Sequence, residues 1–276
     1  MKNKVIILSV ILFAIFLVAA CHKKNSENTI KVGTIAGPET DLLSVAKQVA
    51  EKKYHLTIEI ISFNDYTMPN MALSEGSIDA NVFQHQAYLN ESMQQHHFNL
   101  SAIGKTFIYP MAIYSKKIKK LSEIHTNAVV TIPNDPTNET RALLLLQAAN
   151  LIKLKNVSGN DLTPQDLAFN PFNLQIKELD AALLTRTLED ADLAVINTNY
   201  AVPAGLLPNK DGLFVESVSS GYANLIVVRS IDAEKPIFKE LEEALHSNEV
   251  QQAAKEIFHG TAIPAWRQNH VRNKIK

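Results

Sequence analysis

The sequence predicts an α/β protein built as a two-lobed clamshell with two hinge crossings. Three observations predict it. Strand and helix signals alternate along the 276 residues, the order expected of a mostly parallel sheet covered by helices. That grammar occurs twice, once up to Tyr114 and again from Ser115 onward. The last part of the chain then returns to the style of the first, with a strand and two helices that need a sheet to pack on.

The chain opens with Lys2 and Lys4, followed by Val5–Leu17, apolar or small throughout, and then Leu17-Val18-Ala19-Ala20-Cys21. A positive start and a short apolar run are the pattern of a secretory signal over residues 1–20. The run falls short of the roughly 20 residues that a membrane span needs. Cys21 is the one cysteine, so an internal disulfide is excluded. Residues 21–28 are polar and aperiodic and are expected to form a flexible tether.

The first lobe is expected over 29–114. Thr29–Ile35 is a β-rich run ending near Gly37-Pro38. Asp41–Lys53 places Leu42, Val45, Ala46, Val49 and Ala50 at helical spacing. Leu56–Phe63 alternates and is β-branched. Pro69–Ser74 is a short helix stopped near Gly76. Ile78–Val82 reads as a buried strand, Ala87–His97 as a helix and Phe107–Tyr114 as one further strand. The second lobe, 115–223, has a strand at Ala128–Ile132, the turn signal Pro133-Asn134-Asp135-Pro136, a helix over Asn138–Leu151, and strands at Leu174–Leu179 and Leu193–Ile196. Residues 224–266 rejoin the first lobe through a strand at Ala223–Val228 and helices at Pro236–His246 and Glu249–Phe258. Residues 267–276 form a basic tail. The crossings are expected near Tyr114–Lys120 and Gly221–Leu225.

Composition narrows the function. Hydrophobic residues are 46% and charged residues 20%, with a formal net charge of −1. That is an ordinary globular mix, without a field that would draw nucleic acid. No nucleophile elbow, zinc-protease, redox-dithiol or nucleotide-loop motif is present, so an enzyme is disfavoured. His85, His96 and His97 have the wrong spacing for a metal on one helical face. Neither a metal nor a cofactor is expected.

Four groups carry candidate chemistry. The segment Pro133 to Arg141 follows a buried strand and opens a helix, whose free N–H groups make a seat for a carboxylate. Asn138 is a candidate N-cap or first-turn residue. Arg141, a cation set against the helix dipole, needs an anionic partner, either a ligand carboxylate held by two parallel hydrogen bonds or a protein carboxylate. Tyr66, Phe83, His85 and Tyr88 lie at strand ends, where open α/β sheets bind ligands. They make either an aromatic cage suited to a thioether or ordinary core. Asn197 and Asn224 flank strands, as turn residues or as partners for an ammonium or carboxylate.

The ordered pieces resemble a known family. They include Ile30-Lys31-Val32-Gly33, Phe63-Asn64-Asp65-Tyr66, Ile78-Asp79-Ala80-Asn81 with Phe83-Gln84-His85, and Pro133 to Asn138 with Arg141. Ala194-Val195-Ile196-Asn197-Thr198 and Asn224-Leu225-Ile226-Val227 continue the series. The chain resembles the methionine-binding lipoproteins of ABC importers over roughly residues 29–266, and its small-small-Cys ending resembles their lipobox. The resemblance implies a periplasmic binding protein fold, lipidation of Cys21, and export to the periplasm with anchorage to a bacterial membrane. It implies L- or D-methionine as ligand and an importer permease and ATPase as partners. Arg141, assisted by Asn138, would hold the ligand carboxylate. Asn197 and Asn224 would meet its charged end, and Tyr66, Phe83, His85 and Tyr88 would wall the side chain. The alternatives are another small amino acid, a methionine-containing dipeptide, or a surface adhesin. Ala168–Asn173, Ser219-Ser220-Gly221-Tyr222 and the run after Trp266 depart from the family pattern.

Overall fold

The computed structural model describes residues 28–156, 161–217 and 221–266. The expected signal segment, Cys21, all but the last tether residue and the basic tail lie outside the described residues.

The first lobe starts with β1 (Thr29–Ile35), α1 (Pro38–Tyr54), β2 (Thr57–Phe63), α2 (Met68–Ser74), β3 (Ala80–His85), α3 (Gln86–His96) and β4 (Leu100–Ile108). β1 pairs in parallel with β2 and β3. α1 begins at Pro38, whose fixed φ suits a first turn. Asp41 stands near its start and Lys52 and Lys53 at its end, each sign favoured by the helix dipole. Leu42, Leu43, Ala46, Val49 and Ala50 form its buried stripe. His55 ends the helix in the left-handed region, φ 56°, closing its last carbonyls through its own N–H.

The chain then passes through Tyr109-Pro110-Met111 to β5 (Ala112–Tyr114), which belongs to a second sheet. Phe107–Tyr114 is therefore two strands in two sheets. The first crossing lies at 109–111, ahead of the expected Tyr114–Lys120, because the apolar run stays buried while it changes sheets. β6 (Val129–Pro133), α4 (Pro136–Ala148), the small ribbon of β7 (Lys153–Leu154) and β8 (Leu167–Phe169), β9 (Gln175–Leu179), β10 (Leu193–Ile196), α5 (Thr198–Ala201) and β11 (Phe214–Val215) complete this lobe. Its sheet order is β11-β5-β10-β6-β9.

The second passage ends where β12 (Ala223–Arg229) begins, so the expected Gly221–Leu225 crossing overlaps a strand. α6 (Pro236–Leu245), α7 (Asn248–Ile257) and β13 (Ile263–Pro264) follow. α6 and α7 pack on α1, so the closing helices join the layer that covers the first sheet. The first sheet is ordered β13-β4-β12-β3-β1-β2. β12 inserts between β3 and β4 and is antiparallel to both; β5 is antiparallel to β10 and β11. The sheets are mixed, where the alternating grammar predicted mostly parallel ones. The difference comes from the strands at the crossings, which have no helical crossover to turn them around.

Each lobe has its own apolar core. One is built on Val32, Ile58, Ile226, Phe238 and Phe258, the other on Ile113, Val130, Ile132, Leu143 and Leu146. α4 and α3 meet across the lobes, and the cleft lies beside that contact.

Candidate functional site

All eight residues singled out as ligand-binding candidates line one cavity. Gln84, Tyr109, Thr198 and Asn199 line it as well.

The aromatic wall is continuous. Tyr66 stands 6.0 Å from Phe83 and 5.9 Å from Tyr88 between ring centroids, and Phe83 is 5.7 Å from Tyr88. Tyr200 adds a fourth ring, 5.2 Å from Tyr66. Tilted and edge-on arrangements at these separations are the favoured aromatic geometries. The hydroxyls are tied back. Tyr88 Oη donates to the Tyr66 carbonyl at 2.8 Å, and Tyr66 Oη donates to Asn199 Oδ1 at 2.7 Å. Burial pushes the Tyr66 and Tyr88 phenols up, so both stay neutral.

His85 ends β3 and caps α3. Its Nδ1 accepts from the Tyr88 N–H at 3.2 Å. Burial, aided by the nearby Arg141 charge, lowers its pKa to about 3. The ring is therefore neutral, and its one proton sits on Nε2, facing Asn138 Oδ1 at 3.4 Å.

Asp135, not Asn138, caps α4. Its carboxylate accepts from the Asn138 N–H at 3.0 Å, from Asn138 Nδ2, and from Thr137 Oγ1. Asn138 is the third helical residue. Its Nδ2 is spent on Asp135, while its Oδ1 accepts from Asn197 Nδ2 at 2.8 Å and faces His85. It is thus a junction between α4, β3 and the end of β10.

Arg141 lies in the second turn of α4 and has a protein partner. Nε donates to Glu216 Oε1 at 2.8 Å, and Nη2 donates to Glu216 Oε2 and to the Tyr109 carbonyl. The two-pronged contact expected for a ligand carboxylate is made with Glu216 instead. The Tyr222 ring covers the guanidinium face at 4.5 Å. Because Tyr109 and Glu216 sit in or beside the two crossings, the guanidinium ties both to α4. Glu216 Oε2 also accepts from the Met111 N–H at 3.1 Å. Removing one member of such a buried pair strands the other and costs about 3–5 kcal/mol.

Two buried side-chain atoms of the cleft lining have no partner among the described residues, the acceptor Asn197 Oδ1 and the donor Asn199 Nδ2. Buried polar atoms are nearly always paired, so each exception calls for an explanation. Asn224 directs Nδ2 to Glu39 Oε1 and to the Phe83 carbonyl, both at 2.9 Å. It sits at a bulge where the pairing of β12 with β3 and β4 slips, a device that re-aims a side chain.

Comparison with known proteins decides the family. A profile of the NlpA lipoprotein family matches residues 30–266. The chain belongs to the NlpA lipoprotein family. It is 49% identical to the D-methionine-binding lipoprotein MetQ of Salmonella typhimurium, over 90% of this chain and 93% of the relative. A nutrient binding protein from Burkholderia cenocepacia, solved bound to methionine, has 48% identity and a TM-score of 0.84, covering 86% of this chain and 99% of its own. A periplasmic substrate-binding protein of an ABC transporter from Coxiella burnetii has 54% identity and a TM-score of 0.84, covering 86% and 100%. Membership fixes the fold as that of the periplasmic substrate-binding proteins.

Sequence reasoning missed Asn199, Tyr200, Glu216 and Tyr222. Asn199 had a signal, since Asn197-Thr198-Asn199 follows a buried strand and two amides with one residue between them could serve one site. Nothing in the sequence pointed to the pairing of Glu216 with Arg141, 75 residues away. Among the described residues, no group of three or more His, Cys, Asp or Glu side chains could hold a metal ion. No described helix is long and apolar enough to cross a membrane.

Proposed function

We propose that this protein is a non-enzymatic receptor that captures methionine in its cleft and delivers it to an ABC importer. One observation carries the reading. An aromatic wall built by Tyr66, Phe83, Tyr88 and Tyr200 stands in the same cleft as an unpaired buried acceptor on Asn197 and an unpaired buried donor on Asn199. That set suits an α-amino acid zwitterion with a long apolar side chain. A thioether gains about 0.3–1.5 kcal/mol from each ring it touches. Arg141 and Asn199 supply the positive field and the donor for the carboxylate. Asn138 acts by holding Asn197 and His85 rather than by touching the ligand with its own amide hydrogens. The relatives named for methionine support this assignment.

Calorimetry with methionine, norleucine and alanine tests it. Methionine is expected to bind tightest. Norleucine should bind somewhat more weakly, because a methylene stands where the polarizable sulfur would meet the rings. Alanine should lose several kcal/mol at about 25 cal/mol per Å² of apolar surface left unburied. Equal affinities for alanine and methionine would refute the cage. The setting is an exported domain anchored through lipid on Cys21, a reading that rests on Lys2, Lys4, the apolar run and Ala19-Ala20-Cys21. Replacing Cys21 with alanine should abolish palmitate labelling and spare methionine binding; persistent label would remove the anchor.

A further inference from the structure

Glu39 is a carboxylic acid buried in the interior of the first lobe. It stands at the second position of α1, is 6% exposed, and has no cationic side chain among its hydrogen-bond partners. Oε1 accepts from Asn224 Nδ2, and Oε2 has no partner among the described residues. Its other surroundings are Thr34 of β1, Leu42 and Leu43 of α1, Val82 of β3, Thr106 and Phe107 of β4, Tyr109 of the first crossing and Leu245 of α6. Tyr109 and, in the aromatic wall, Tyr66 and Tyr200 are the titratable groups that feel its charge, and burial keeps all three neutral. A lone carboxyl in such a place is costly to keep, and nothing in the core packing explains it.

Its one hydrogen bond leads to the cleft. An amide places its hydrogens at one end and its oxygen at the other. Asn224 has its nitrogen end fixed by two acceptors, the Phe83 carbonyl and Glu39 Oε1, so its orientation is set. Oδ1 accepts no hydrogen bond from the described residues and is not among the sealed, unpaired atoms. Asn224 itself lines the cleft. An acceptor there, backed by a carboxyl one bond behind it, is built to meet a cation.

We propose that Glu39 is a positioning residue that holds Asn224 with its carbonyl oxygen toward the cleft and supplies the negative charge balancing the ligand's ammonium. The inference rests on the reading of the cleft as an amino acid site. It gives Asn224 the amino end, and it completes the charge pattern. The Arg141 and Glu216 pair is fastened to the crossings, and Glu39 is the carboxyl that backs the Asn224 side of the cleft. Without ligand, burial raises the Glu39 pKa to about 8, and the group carries its proton at neutral pH. An ammonium beside Asn224 favours the carboxylate, so capture releases that proton to the solvent.

The test uses the full chain with methionine and with 4-(methylthio)butanoate, which keeps the carboxylate and thioether but lacks the amino group. Glu39→Gln keeps the shape and removes the charge. It should weaken methionine on the order of tenfold to a hundredfold and leave the deamino compound nearly unchanged. Equal losses for both ligands, or no loss for either, would overturn the proposal in favour of a purely structural Glu39. Should Glu39→Gln fail to fold, calorimetry of the unmodified protein near pH 7 in buffers of different ionisation enthalpy gives a second readout. Methionine should release a proton and the deamino compound none; no release with methionine would equally overturn the proposal. If the unmodified protein bound neither compound, the amino acid reading itself would fall.

Discussion

At the scale of single residues, His85 shows how burial sets both chemistry and stability. Its Nδ1 caps α3, its Nε2 faces Asn138, and its folded pKa is lowered to about 3 by burial and the Arg141 charge. The unfolded chain titrates near the ordinary value of about 6.5. Below that pH the unfolded state takes a proton that the folded state refuses, so stability falls as pH drops from about 6.5 toward 3. The slope is at most about 1.4 kcal/mol per pH unit for this one group. Glu39 acts in the opposite sense. Its raised pKa gives stability that is complete below the unfolded value and is lost as pH rises through about 8. His85→Asn retains a capping acceptor and removes the titration. Denaturant unfolding of both proteins between about pH 7 and pH 4 should show a shallower acid decline for the variant. Parallel declines would mean that His85 is protonated in the folded state and that its assigned tautomer is wrong. Arg141 gives the other lesson of this scale. An arginine set against a helix dipole does need an anion, but the anion that takes its fork is Glu216.

At the scale of elements, most of the architecture was legible because side-chain period reports it. The apolar spacing of α1, the β-branched alternation of β2 and the proline-led turn before α4 were all readable. The structure moves their ends by only a few residues, as caps and fraying do. Asp135 replaced Asn138 as the cap of α4 because both are good capping residues within one short segment and only the backbone angles choose between them. Leu143–Leu146 reads as an apolar block, yet Leu144 is 40% exposed, since four successive residues of a helix cannot all face one core. The crossing at 109–111 was not legible. Its flanks, Phe107, Ile108, Ala112 and Ile113, are all buried, and a strand that ends in one core and restarts in another leaves no polar break between them. The candidate site divides in the same way. Residues at strand ends announce their positions through the fold class. Glu39 and Glu216 come from distant stretches and look like an ordinary first-turn acid and a surface acid until the chain is folded.

At the scale of the whole molecule, the lobes are held around the cleft by bonds that run between them. Tyr66 reaches Asn199, His85 faces Asn138, and Tyr200 Oη donates to the Asn64 carbonyl at 3.4 Å. The same side chains line or border the cavity, so closing the clamshell and completing the site are one event, as expected where hinge closure sequesters a ligand. The Arg141 and Glu216 pair, fastened to Tyr109 and Met111, places the charged centre of the cleft on the hinge itself. A ligand enclosed in this way is retained through purification when its affinity is high. The central claim, that the cleft takes methionine, is therefore tested most directly by mass spectrometry of the small molecules that denaturation releases from the extensively washed protein. Methionine recovered close to one equivalent per chain, and absent after Arg141→Ala, is the result expected. A different amino acid or a dipeptide released in that amount, or nothing released and no binding when methionine is added back, would contradict it.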